Sequence, residues 1–72
     1  MGINTGDLFR HYRNGVIYEV VNNDMAIQQN DVWVPAIGYK IYEDNNNKTV
    51  YVRSLQEFNK KFIKIEEVEN DS

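Results

Sequence analysis

The amino-acid sequence predicts an all-β domain of five short strands with one short helix before the last, and three features carry that prediction. Asn14-Gly15 sits between two runs that alternate apolar and polar side chains, Leu8 to Arg13 and Val16 to Val21. A second alternating pair, Ile37 to Tyr42 and Thr49 to Arg53, flanks a polar turn. The single helical signal, Ser54 to Phe62, is too short to cover a sheet.

The first strand pair follows from the turn. Asn-Gly adopts the positive φ angles of a two-residue type I′ hairpin, so it predicts pairing of Arg13 with Val16, Tyr12 with Ile17, His11 with Tyr18, Arg10 with Glu19 and Phe9 with Val20. The period of two then puts Phe9, His11, Tyr18 and Val20 on the core side, and Arg10, Tyr12, Ile17 and Glu19 on the other, where Arg10 can pair with Glu19. Residues 22–31 are polar apart from Met25, Ala26 and Ile27, and read as a long loop. Val32 to Tyr42 reads as a strand that is half-buried from Ile37 onward, with Pro35 at an edge or a beginning because it has no N–H to donate. After the Glu43–Lys48 turn, Thr49 to Arg53 resumes the alternation, with Val50 and Val52 on one face and Tyr51 and Arg53 on the other. Ser54-Leu55-Gln56-Glu57 has capping-box spacing, predicting at most two helical turns with Leu55, Phe58 and Phe62 on one face. Ile63-Lys64-Ile65 then closes the domain as a fifth strand. Five strands with a single helical turn before the last give the order of a small SH3-like barrel, which closes its own edges.

Length and charge limit what such a domain can do. At 72 residues it is one domain with a thin stability margin, and without cysteine it has neither disulfides nor thiolate metal sites, so packing alone must hold it. The barrel is expected over residues 1–65, followed by an acidic, disordered tail at 66–72. The formal charge is −3, yet four of the eleven acidic residues lie in that tail, leaving seven against eight Lys and Arg. A near-neutral body gives no electrostatic argument for nucleic acid. No run is apolar and long enough to span a bilayer, and the start lacks the basic-then-apolar order of a secretory signal, so the expected location is the cytoplasm.

Phe9-Arg10-His11-Tyr12-Arg13-Asn14-Gly15 followed by Tyr18-Glu19-Val20 resembles a family of short bacterial and phage domains of unknown function, which open with Tyr-Arg-His-Tyr-Lys-Gly and then Tyr-Glu-Val. Those domains also carry a Val-Tyr-Arg strand and a Val-Arg-Pro segment followed by Phe, similar to Gly38-Tyr39-Lys40 and to Tyr51-Val52-Arg53-Ser54 with Phe58. The likeness extends over most of residues 6–62. It departs at 22–31, which has no counterpart of the family's His-Ser-Glu-Thr stretch, and at Ser54, where the family has proline. The resemblance implies a small β-barrel and brings no activity with it. Abundant Asn and Ile point to an AT-rich genome such as a phage's.

The chemistry-bearing residues are sparse. His11 is the only histidine and has no ligand spacing around it, so it is expected to hold a structural hydrogen bond at the barrel rim, and neither metal nor cofactor is expected. Ser54 is committed to capping, and the paired carboxylates Glu43-Asp44 and Glu66-Glu67 lie in solvated segments, so no catalytic assembly is expected and the chain reads as a non-enzyme. Aromatic residues stand out: five Tyr, three Phe and Trp33. Tyr12, Tyr42 and Tyr51 fall on the predicted outward faces. With Arg10, His11, Arg53 and Trp33 they form the expected contact surface for an unidentified protein partner, in keeping with a phage-encoded modulator of a host protein. Two other readings stand beside it. Arg10, Arg13, Arg53, Lys60, Lys61 and Lys64 would bind nucleic acid if they converge. A homodimer would bind a small molecule or nucleotide over His11, Tyr39 and Arg53.

Overall fold

The structure, a computed structural model, describes residues 2–65, so the acidic segment 66–72 lies outside the described residues. It is an antiparallel five-stranded sheet ordered β4-β3-β2-β1-β5, with β1 at Leu8–His11, β2 at Ile17–Gln29, β3 at Val32–Ile41, β4 at Tyr51–Ser54 and β5 at Phe62–Lys64. Helix α1, Leu55–Lys61, links β4 to β5, the two edge strands. Among the described residues no hydrogen-bonded ladder joins those edges, so the sheet is open and α1 lies between its ends.

The β1–β2 hairpin corrects the predicted register. Observed partners are Leu8 with Glu19, Phe9 with Tyr18 and Arg10 with Ile17, two residues away from the expectation. The reason is the turn. Tyr12 to Gly15 form a four-residue loop in which the Gly15 N–H donates to the His11 carbonyl (3.0 Å) and the His11 N–H to the Val16 carbonyl (3.0 Å). Only Gly15 is left-handed (φ 74°), and Asn14 instead uses its side-chain Oδ1 to accept from the Val16 N–H at 2.8 Å. Asn14-Gly15 is therefore not a two-residue type I′ turn. A slip of two keeps every side chain on its face, so Phe9 and Val20 are buried as expected, while Arg10 loses Glu19 as a partner.

The long loop expected at 22–31 is the second correction, because β2 runs through it to Gln29 and pairs with β3 as far as Gln29 opposite Val32. The two-residue type I′ turn of this molecule is Asn30-Asp31, with φ 50° and 66°, the left-handed values that Asn and Asp tolerate best among residues with a Cβ. Polar side chains at 22–31 thus mark a solvated two-stranded ribbon. Between Val20 and Met25, β2 carries two register shifts, and the bend there presses Gly38 so closely that a Cβ would stand 2.9 Å from the Met25 sulfur. Pro35 lies in the ribbon beyond the reach of β4, which starts pairing at Ala36, so the edge position read from its missing donor holds.

The helix meets its expectation in length and in the Ser54 cap, but it ends at Lys61, so Phe62, expected on its face, opens β5 instead. Ser54 Oγ accepts from the Glu57 N–H at 3.1 Å, Glu57 sits in the first turn, and Lys60 and Lys61 lie in the last, where they suit the helix dipole. Phe58 and Phe62, four residues apart, stack with centroids 4.3 Å apart, and Phe58 meets Phe9 edge-on at 4.8 Å. Around them Val20, Ile37 and Tyr39 complete the buried core. β5 then returns along β1, with His11 opposite Phe62.

Candidate functional site

The structure gathers one aromatic and cationic cluster, at the end of the sheet where β1 turns into β2. Its floor is Tyr39, Phe62 and Tyr18. Tyr39 is buried in β3, Phe62 opens β5, and Tyr18 of β2 meets Tyr39 at 5.3 Å and Phe62 at 5.5 Å. Tyr51, opposite Tyr39, lies against Tyr39 (5.8 Å) and Tyr18 (6.2 Å). This corrects the outward placement of Tyr51: its face is the one carrying Tyr39, and it remains exposed because β4 is an edge strand.

Arg53 stands on the same face, two residues along β4. Its Nε donates to the Tyr39 hydroxyl at 2.8 Å, and its guanidinium lies 5.9 Å from the Phe62 ring centre. Burial pushes the Tyr39 phenol above its ordinary value, more strongly than the Arg53 contact lowers it, so the hydroxyl stays protonated.

His11 closes the cluster from the β1 side. Its ring packs edge-on against Phe62 at 5.0 Å and stacks on Tyr12 at 5.4 Å, while Arg13 lies 5.6 Å from the Tyr12 ring centre. His11 Nδ1 accepts the Arg13 backbone N–H at 3.1 Å, a structural hydrogen bond within the β1–β2 turn, and so the neutral ring carries its proton on Nε2. Desolvation, then the positive fields of Arg53, Lys61 and Arg13, hold the imidazole below its ordinary 6.5. Arg13 and Arg53 lie against Tyr12 and Phe62, the two rings that His11 itself contacts. Lys61 reaches Glu57 at 3.9 Å, whereas among the described residues neither Arg13 nor Arg53 has a carboxylate within ion-pair distance.

Of the residues expected to form one surface, His11, Tyr12, Tyr51 and Arg53 are brought together. Arg10 is exposed on the opposite face, between Ile17 and Ile63, and Tyr42 shares that face, with its N–H donating to the Ile17 carbonyl at 2.9 Å. Trp33 is elsewhere altogether, near the tip of the β2–β3 ribbon and 65% exposed. The expected basic set also divides: Arg13 and Arg53 lie against the two rings that contact His11 and Lys61 ends the helix just before Phe62, while Lys64 pairs with Asp7 at 3.5 Å. Tyr18, read only as a core residue, belongs to the cluster as well. No signal in the sequence separates its half-buried position from a full one.

Among the described residues no three of His, Cys, Asp or Glu converge to hold a metal ion, and no helix is long and apolar enough to cross a membrane. No family model, no curated protein and no solved structure matches the chain.

Proposed function

We propose that this chain is a non-enzymatic binding module whose ligand is an acidic, aromatic-bearing segment of another protein, held on the face made by His11, Tyr12, Arg13, Tyr51 and Arg53. One observation carries the reading. Among the described residues neither Arg13 nor Arg53 has a carboxylate within ion-pair distance; Arg13 lies over the exposed ring of Tyr12 and Arg53 over the buried ring of Phe62, so a partner's carboxylates gain charge-assisted hydrogen bonds from the two guanidinium groups while its side-chain rings stack on Tyr12 and the exposed Tyr51. The Nε2 of neutral His11 supplies a further donor.

An SH3-like barrel is the finer fold reading, supported by the strand order and by the single helix between β4 and β5. The likeness to short bacterial and phage domains of unknown function agrees with it and adds no ligand.

The test is an NMR titration of labelled protein with a panel of acidic peptides containing Tyr or Trp, beside the partner recovered by affinity purification from the native host. Binding should move the signals of His11, Tyr12 and Arg53, and should weaken about tenfold or more on Arg13→Ala or Tyr12→Ala, in keeping with the loss of a contact worth ~1.4 kcal/mol or more. Should no peptide bind, and a single-stranded oligonucleotide instead shift the same signals with a steep salt dependence, the face is a nucleic-acid surface and this reading falls.

A further inference from the structure

The β2–β3 ribbon, residues 25–36, projects from a molecule about 50 Å long, and its tip carries what the cationic cluster would bind. Trp33 and Val32 are 65% and 58% exposed there, beside Asp31 of the turn. From Asn14 to Tyr39 the sequence contains no Lys or Arg, while Asp24 and Asp31 lie on the ribbon and at its tip. The cluster of Arg13, Arg53 and Lys61 occupies the other end of β2, about 40 Å away at ~3.3 Å per residue. One end of the chain is therefore acidic and aromatic, the other cationic and aromatic, and they are too far apart to meet within one molecule.

We infer that the ribbon tip of one molecule, with Asp31 and Trp33, docks on the His11–Tyr12–Arg13–Arg53 cluster of a second copy, giving a head-to-tail contact. This rests on the proposal that the cluster takes acidic aromatic segments, and it names one such segment. Cation–π contact of Arg13 and Arg53 with the indole, and ion pairing with Asp31, are the interactions the two ends offer each other.

Two other modes of self-association fit less well. A symmetric contact of ribbon on ribbon would bring Asp31 towards Asp31 with no cation nearby. Strand addition along the β3 edge of the ribbon is disfavoured at Pro35. The two-residue turn makes Gln29 and Val32 a hydrogen-bonded pair, so alternation points the Pro35 nitrogen, which has no proton, at the free edge of β3. A heterologous contact leaves each copy with one unused tip and one unused cluster, so it propagates into a ring or a filament. A tip of two or three residues buries less than the roughly 1,200 Å² of a standard interface, so the contact is weak and transient.

Sedimentation velocity of the full chain, followed up to roughly millimolar concentration at low salt, tests this, because a weak contact is populated only there. The average mass of the wild type should rise with concentration and return to the monomer when salt is added. Trp33→Ala with Asp31→Lys, both at exposed ribbon positions, should remain monomeric, and so should Arg13→Glu in the exposed β1–β2 loop. Mixed in equal amounts, the two variants should form a dimer that grows no further, since one keeps an intact cluster and the other an intact tip. Dispersed amide spectra check that each variant is folded. A wild type that stays monomeric, a mixture that stays monomeric, or association that survives the ribbon changes overturns the inference. If acidic peptides still titrate the cluster in that event, self-docking alone has failed; if they do not, the binding reading has failed with it.

Discussion

His11 shows how one side chain links the fold to its surface. It is wedged between Phe62 and Tyr12, accepts a backbone N–H on Nδ1 and faces Arg13, Arg53 and Lys61, so protonating it breaks a hydrogen bond and adds a fourth positive charge. Its folded value is depressed below the ordinary 6.5, so its contribution to stability is present above that pH and is lost as pH falls through the folded value. Thermal melts taken downward from pH 7.5 should show a loss beginning below about 6.5 that is reduced in His11→Gln. A variant that melts with the same pH profile as wild type would remove this role. At Gly15, with φ 74°, any Cβ strains the loop, so Gly15→Ala should cost about 1 kcal/mol by chemical denaturation. Ser54→Ala, losing the cap on Glu57, should cost a similar ~1 kcal/mol.

At the scale of elements, the ribbon and the helix had opposite legibility. The helix was readable because its signals are local: a cap at Ser54, an acid at Glu57 and two Phe side chains four apart need only their neighbours to act. The ribbon was not, because in its first strand only Met25 and Ile27 are half-buried among exposed neighbours, too short an alternation to mark a strand, and Gln28, Gln29, Asn30 and Asp31 read as loop. What makes it a strand is the pairing of Ile27 with Val34 and Gln28 with Trp33, a contact no short window contains. Supported by little burial, the ribbon should open locally without global unfolding. Amide exchange at its hydrogen-bonded residues Gln29 and Val32 should be much faster than at Val20 and Tyr39 in the core; equal protection would mean that the ribbon is held by more than its own ladder.

For the whole molecule, stability rests on one aromatic stack. A domain of 72 residues holds on the order of 4–11 kcal/mol at ordinary per-residue values. Phe58 is fully buried between Phe9, Tyr39 and Phe62, so Phe58→Ala should remove about 3–5 kcal/mol and leave a substantial unfolded population, seen as loss of amide dispersion at room temperature. The open sheet makes this dependence sharper. With no ladder between β4 and β5 among the described residues, α1 with its Phe58, and Phe62 at the start of β5, are what connect the sheet's ends.

By itself the sequence determined the strand-rich class, the capped helix, a closing strand after it and the core face carrying Phe9 and Val20, since alternation and caps are local properties of a chain in water. It could not determine register or the gathering of the site. Asn14-Gly15 and Asn30-Asp31 are both acceptable turns, and only the summed pairing of β2 with its two neighbours selects which of them closes a two-residue hairpin. Arg53 meets Tyr39 fourteen residues away, and His11 meets Phe62 across the first and last strands. Such contacts exist only once the sheet has formed, so tertiary structure alone decided which of the aromatic and basic side chains share a surface.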